Sequence, residues 1–541
     1  MGLQIWRAVP GSWLLVLLNL FTSVALIFEG YNQGVMGSVS NTPGFIRMAG
    51  LGVNAKGAVT DTTKQGGLVA AYYFGAMFGC FIGGKMGDKL GRKKGVWIGA
   101  CFCILGAALM CGSVNSNMFL IARIIAGIGI GFNNAIVPPW VSELSQAHNR
   151  GAAFSLVFTA NFAGIILAYW LNFGVRNSGE TFKWRFPLGF MAIPMVIVFF
   201  TVFLLPESPR WLVSNGRRDE AVEILAKVRG DVSHDDPTLL AEVEQLEAVV
   251  ASASHPRNHL WNIATGRHSG ALHLGRRAWM GFALQLIQQW TGILAVATWA
   301  GTLFALAGFD SYKSAWLAGL VNTFGVFGTA AAALVIDRMG RIKSLMVSFI
   351  TQGIALFLLA AFIRTSQIST GEKSTNFGIA AAAMVFVFLW FFTMFNIVPC
   401  WIYSTEIWPQ EIRAKGYAFT ILGWAIGCGV TTFVIPILLS KLGWYTFIFF
   451  GCMNIVAMPI IWFIYPEVSG RTLEEVNLLF TSDSLFVGPN MKAFHQRVEA
   501  AGGIAPAERR LFDEVDGIDR DPLDMEGKTS SPGSGHYETK H

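Results

Sequence analysis

The sequence predicts an all-helical membrane protein of twelve spans arranged as two six-helix bundles. Three observations carry that prediction. The chain has 541 residues, of which 53% are hydrophobic and only 14% charged, whereas soluble domains carry about 25% charged residues. Apolar runs recur along it, each near the roughly 20 residues that a helix needs to cross a bilayer. Charged motifs in the first half return, in the same order, in the second.

The spans are expected at 12–35, 66–86, 95–114, 118–141, 151–173 and 186–205, then at 278–305, 314–336, 343–363, 377–403, 414–440 and 444–466. The domains follow from them. Residues 1–205 form one bundle, 206–277 a cytoplasmic linker with short amphipathic helices, and 278–480 the second bundle. Residues 481–541 are polar and rich in Gly, Pro and Ser, so a disordered cytoplasmic tail is expected. The first apolar run shows no small-residue cleavage site and reads as a span, not a signal peptide.

Orientation comes from the basic connections. Lys85, Lys89, Arg92, Lys93 and Lys94 follow span 2, Arg217, Arg218 and Arg229 lie in the linker, and Arg338, Arg341 and Lys343 follow span 8. These connections alternate, so they share one side. That side is expected to be the cytoplasm, with both termini on it.

Other classes find little support. The net charge of +6 is small for this length and gives no footprint for nucleic acid. The seven cysteines match no zinc spacing or disulfide framework and read as small core residues. His148, His234, His255, His259, His268 and His273 have no lattice of Cys or Asp around them. The Gly127–Gly131 run lies inside an apolar span, where it serves close helix packing, not phosphate binding. No cofactor, metal or catalytic residue is expected, and the chain is not read as an enzyme. A monomer is the default. No Asn-x-Ser/Thr acceptor falls in the expected outer loops.

The duplication is specific. Asp88 and Arg92 follow span 2, and Asp337 and Arg341 follow span 8, each 249 positions later. Glu143 precedes Arg150 by seven residues, and Glu406 precedes Arg413 by seven. Pro206-Glu207-Ser208-Pro209-Arg210 after span 6 is answered by Pro466-Glu467-Val468-Ser469-Gly470-Arg471 after span 12. Internal repeats of this kind build transporters whose substrate path runs between the repeats. Each motif sets an acid beside a base at a helix end. The expectation is a gate whose pairs hold one side shut and break when it opens.

With these motifs the chain resembles the sugar porter family of the major facilitator superfamily. The matching segments are Gly87–Lys93, Ala122–Gly131 around Arg123, Pro206–Leu212, Gln288–Ile293 and Pro466–Val476. Gly30–Gly37 and Ser404–Gly416 look most like fungal members. The resemblance implies the major facilitator fold and movement of a monosaccharide or related polyol across the plasma membrane by alternating access. It also implies sugar contacts at Gln288, Gln289, Asn322 and Trp401. Amides suit that task, since each both donates and accepts hydrogen bonds.

Departures from the family pattern blur the substrate. Leu294 stands where Asn is usual, Thr298-Trp299 where an aromatic pair is usual, and Tyr169 where many relatives have Gln. Asn133, Asn134, Asn161 and Asn396 are possible replacement contacts but read first as helix–helix contacts. Proton-coupled members carry Asp at the position of Asn32, near the Arg of span 4. An amide does not titrate near neutral pH, so Asn32 favours facilitative uniport. Arg123 then needs another partner, because a charge in mid-membrane is costly. Glu29, three residues before Asn32, is the candidate. A carboxyl kept from water also holds a proton more readily, so symport through Glu29 stays open. So does a sensor that binds sugar without carrying it.

Overall fold

The computed structural model describes residues 5–54, 59–144, 150–252, 260–267, 269–409 and 412–518. Among these the protein is helical, with one isolated bridge between Val53 and Val59. Twelve helices are long and apolar enough to cross a membrane. Spans 1 to 6 are Trp13–Val39, Thr62–Leu90, Arg92–Cys111, Ser116–Val141, Phe158–Asn177 and Phe182–Leu204. Spans 7 to 12 are Gly270–Ala297, Ser311–Ile336, Arg341–Ile368, Glu372–Glu406, Lys415–Leu442 and Tyr445–Ile464. Each overlaps its expected position. The outward faces carry large apolar side chains, among them Trp13, Phe200, Leu334 and Phe463. That is the surface lipid covers in a multi-pass membrane protein.

Within the first half, span 4 packs on spans 2 and 3, and span 1 on span 5; in the second, span 9 packs on spans 10 and 12. The halves meet along two seams, span 2 against span 11 and span 5 against span 8. The glycine run of span 4 packs as expected. A Cβ on Gly129 would come within 2.6 Å of the Gly99 carbonyl and the Cys103 sulfur. All seven cysteines are free. Cys80, Cys103, Cys400 and Cys428 are buried, but Cys452 is exposed and is no core residue.

Two spans are interrupted where the halves face each other. In span 7, a helix over Leu274–Gln289 stops and a short one over Ile293–Ala297 resumes. Gly292 joins them at φ 96, a conformation that favours glycine. In span 10, Glu372–Phe395 and Ile397–Glu406 meet at Asn396. Pro399 lacks the N–H that would bond back to the Phe395 carbonyl, which explains the stop. Their repeat counterparts, spans 1 and 4, run as single helices over Gly11–Val39 and Ser116–Leu144.

The linker holds the expected short helices at Arg218–Val228 and Pro237–Ser252. They pack through Val222, Leu225, Leu239 and Val243, and Arg229 pairs with Glu242 at 2.6 Å. The stretch expected to be disordered is not so as far as residue 518. Helices occupy Val487–Ala501 and Ile504–Ile518. Ala507 and Leu511 are buried, and the second helix packs against Leu473–Leu478 and Gly270–Leu272. Just ahead of these helices, Arg276 donates to the carbonyls of Phe480 and Ser482 at 2.6 and 2.7 Å. Residues 519–541 lie outside the described residues.

Candidate functional site: a central cavity and its two flanking clusters

A cavity of about 50 Å³ lies at the junction of the halves. Glu29 and Gln33 reach it from span 1, and Phe158, Asn161 and Phe162 from span 5. The second half contributes Gln288, Gln289, Leu294 and Thr298 from span 7, Trp401 from span 10 and Trp424 from span 11. That volume holds one or two waters, at about 30 Å³ each. A sugar ring enters only when the walls move apart.

The polar wall is a chain of amides. Gln289 Nε2 donates to Gln288 Oε1 at 3.1 Å, and Gln288 Nε2 donates to Asn396 Oδ1 at 3.1 Å. The Asn396 amide nitrogen is buried and has no partner among the described residues. Both helix interruptions serve this chain, one just after Gln289 and the other at Asn396. The apolar wall is aromatic. Trp401 lies 5.2 Å from Phe158 and 6.0 Å from Trp424, centroid to centroid. Together the lining residues offer both hydrogen bonds and flat apolar faces.

Four of the seven substrate positions expected from sequence line this cavity: Gln288, Gln289, Thr298 and Trp401. The other three do not. Asn322 is buried in span 8 and donates to Ala318 of its own helix at 2.9 Å. Trp299 is buried, and its indole nitrogen has no partner among the described residues. The Tyr169 hydroxyl bonds across the halves to the carbonyls of Ala297 and Thr298, at 2.7 and 2.8 Å. Its phenol spans the seam and is spent on backbone, so it acts as a clasp at the end of the short helix of span 7. Asn161 and Asn396 read first as helix contacts, yet one lines the cavity and the other ends its amide chain. Pro399, two residues past Ile397, was the available signal for Asn396.

The expected pairing of Arg123 with Glu29 is not made. Arg123 is buried and donates to Asn32 Oδ1 at 2.6 Å and to the Val69 carbonyl at 2.7 Å. Its guanidinium also lies 4.9 Å from the Tyr72 ring centre. An amide oxygen, a carbonyl and an aromatic face therefore meet the cation without an acid, while its Nε has no partner among the described residues. Glu29 points into the cavity instead.

The charged clusters gather at one end of the bundle, as their spacing requires. Arg92 binds Asp88 at 2.6 Å and Glu143 at 3.2 Å, and Glu143 also accepts the Ser208 hydroxyl. In the second half, Arg341 binds Glu406 at 3.1 Å and donates to Ser469 at 2.7 Å. These pairs tie spans within one half, because each motif closes on neighbouring helices of its own bundle. The halves face each other here across a cavity of about 250 Å³, where Asp88 and Arg92 of the first half share the lining with Lys415 of the second.

Glu207 and Glu467 do not use the arginines that follow them in sequence. Glu207 accepts from the backbone amides of Arg92 at 2.9 Å, Lys93 at 3.4 Å and Ser208 at 3.0 Å. Glu467 accepts from those of Arg341 at 3.0 Å, Ile342 at 2.9 Å, Val468 at 3.1 Å and Ser469 at 3.0 Å. Each carboxylate thus caps the start of span 3 or span 9, where free N–H groups favour an anion. Burial pushes the Glu207 carboxyl up, and the amide hydrogen bonds pull it partly back. Gly91 and Gly340 make room. Their φ values are 95 and 87, and a Cβ on either would lie 2.7 Å from the capping carboxylate. Arg471 pairs with Glu475 at 3.8 Å and rests on the Phe494 ring at 5.0 Å. Arg413 donates to the Trp408 carbonyl at 3.4 Å, and Arg210 lies near Lys415. The side chains of Arg150 and Asp337 lie outside the described residues.

A Glu143→Gln or Glu406→Gln change keeps an acceptor for the facing arginine and removes the charge. Each is expected to lower the transport rate at least fivefold, with near-normal amounts of protein at the membrane. Charge-assisted bonds are about twice as strong as neutral ones, so the effect falls on the pair more than on the fold. Uptake normalised to surface protein checks it, and wild-type rates in both variants would exclude a gating role.

Two pseudo-equivalent helical bundles, a shared central cavity and interrupted helices around it define a membrane carrier of the major facilitator type. A family model described as sugar (and other) transporter matches residues 18–480, and the chain belongs to that family. It is 29% identical over 458 residues to the sugar transporter STL1 of Saccharomyces cerevisiae, covering 83% of this chain and 78% of that protein. It is 30% identical over 490 residues to the MFS-type transporter oryC of Aspergillus oryzae, covering 88% of each. Among solved structures, the proton:xylose symporter XylE bound to 6-bromo-6-deoxy-D-glucose superposes with a TM-score of 0.72. That match has 23% identity and covers 87% of this chain and all of the other. These relatives are transporters, and the chain is a multi-pass sugar transporter of the same superfamily.

Proposed function

We propose that the chain carries a monosaccharide or related polyol across the plasma membrane by alternating access, as a facilitative uniporter, with both termini in the cytoplasm. The observation that carries this reading is the cavity between the halves, lined by the amides Gln288 and Gln289, which Asn396 holds from behind, and by Trp401. Amides match sugar hydroxyls, and a tryptophan face matches the apolar face of a ring. Each hydrogen bond contributes about 0.5–1.5 kcal/mol net, which suits release as well as capture. The relatives named above as sugar transporters support the substrate class. Asn32 supports uniport, because Arg123 is held there by a group that cannot titrate.

One observation favours a second reading. Glu29 lines the cavity, where a proton on its carboxyl would travel with the substrate, making the chain a symporter. Uptake into transporter-deficient yeast or proteoliposomes separates the two, using labelled hexoses, pentoses and polyols with and without a proton gradient. Uptake that equilibrates and ignores the gradient is expected. Accumulation that needs the gradient would replace uniport by symport, and absence of any uptake by protein at the surface would point to a sensor.

A further inference from the structure

Uniport through the Asn32–Arg123 pair gives the Glu29 carboxylate nothing to do. The residue is 4% exposed and lines the central cavity. Among the described residues no cation pairs with it. Gln33 donates to its Oε1 at a long 3.4 Å, and the Asn134 side chain stands beside it. A carboxylate has about four acceptor sites, so most of its capacity is unspent. Leaving such a group dry and unpaired is costly, and a ligand that brings donors removes the cost. The other polar groups of the wall, Gln33, Asn161, Gln288, Gln289 and Thr298, are all uncharged. They suit a substrate that presents hydroxyls all round.

Resting on the sugar-transport reading, we propose that Glu29 is a specificity-determining residue. Its carboxylate accepts hydrogen bonds from two adjacent hydroxyls of a neutral sugar or polyol, and substrates lacking either hydroxyl are rejected. A hydroxyl donating to a carboxylate makes a short, charge-assisted bond. Each missing hydroxyl leaves the buried acid unpaired, so discrimination of at least about tenfold is expected. The carboxylate reaches the cavity from span 1, and the amides of Gln288 and Gln289 reach it from span 7. Hydroxyls are thus read from two separate elements, and their relative placement decides what is carried.

The test is competition. Uptake of the labelled parent sugar by transporter-null yeast is challenged with each of its single-deoxy analogues, for the wild type, Glu29→Gln and Glu29→Leu. The wild type should reject two analogues with neighbouring missing hydroxyls at least tenfold. Glu29→Leu should raise KM for the parent at least tenfold and accept those two analogues as well as the parent, with Glu29→Gln between. If Glu29→Leu does not reach the membrane, Glu29→Gln decides, by losing at least threefold of the discrimination. Three results overturn the proposal: an unchanged ranking of analogues in the variants, a change confined to maximal rate or to proton-gradient response, or an amino sugar that outcompetes its parent on the wild type only. If the wild type carries nothing but binds sugar in tryptophan-quenching titrations, the transport reading fails. The same ranking, taken from those titrations, then decides the role of Glu29. Absence of any sugar or polyol binding overturns both.

Discussion

Asn32→Asp should make uptake depend on pH. Asn32 Oδ1 receives Arg123 Nη1 at 2.6 Å in a site where both side chains are buried. The substitution keeps the shape and adds a charge. An ionised carboxylate at this position would convert a neutral-acceptor bond into an ion pair, and hydrogen bonds involving charged partners contribute about 1.5–3 kcal/mol. That gain falls on the conformation that holds the contact, so leaving it becomes slower. Uptake should fall at least tenfold when the acid is ionised and recover as external pH drops and the acid is protonated. The measurement is initial uptake against external pH, with and without a protonophore. A variant that carries sugar at the wild-type rate at every pH would remove this position from the coupling question.

Glu467→Ala should cost more in folded protein than any other single truncation among the charged motifs. One carboxylate serves four backbone amides, those of Arg341, Ile342, Val468 and Ser469. These bonds are part-buried, so each amide left unpaired costs about 1 kcal/mol, the low end for buried groups, and four together are a large share of the stability of an ordinary domain, about 5–15 kcal/mol. The expected result is little protein at the membrane and a sharply lowered melting temperature in detergent. Glu207→Ala should behave alike, with three amides at stake. Glu467→Gln should lie between, because one amide oxygen still accepts. Normal surface amounts of Glu467→Ala would show that water replaces the carboxylate at the start of span 9.

Much of this architecture was legible in the residues. The spans were, because crossing a bilayer demands long apolar helices. The duplication was, because paired charges at fixed offsets have few other causes. The site was legible in part. Gln288, Gln289 and Trp401 face the cavity as their types suggested, and Thr298 does too. Tyr169 was not legible, since its hydroxyl could equally meet a ligand or a carbonyl, and only the short helix after Gly292 supplies the carbonyls. The partner of Arg123 was missed for a similar reason. Charge complementarity pointed to Glu29, but backbone and amide oxygens were already within reach. The partners of Glu207 and Glu467 were hidden because backbone N–H groups leave no mark in a sequence. The helices after residue 486 were hidden by their polar composition, since a few buried groups such as Ala507 and Leu511 suffice to dock them.

The interruptions in spans 7 and 10 have no counterpart in spans 1 and 4. The difference is local, since span 4 carries Pro138 and Pro139 within its helix and span 6 of the first half is itself broken at Met191. An unbroken helix transmits a push from end to end, while one that lacks hydrogen bonds at a joint bends there first. A molecule wedged into the cavity presses on both kinds at once. At the cavity span 1 is the unbroken one, and the deflection goes into the short pieces Ile293–Ala297 and Ile397–Glu406. Tyr169 grips the end of the first of these pieces. The force that a bound sugar exerts on the hinge at Gly292 thus reaches the clasp directly, without passing through the remaining spans.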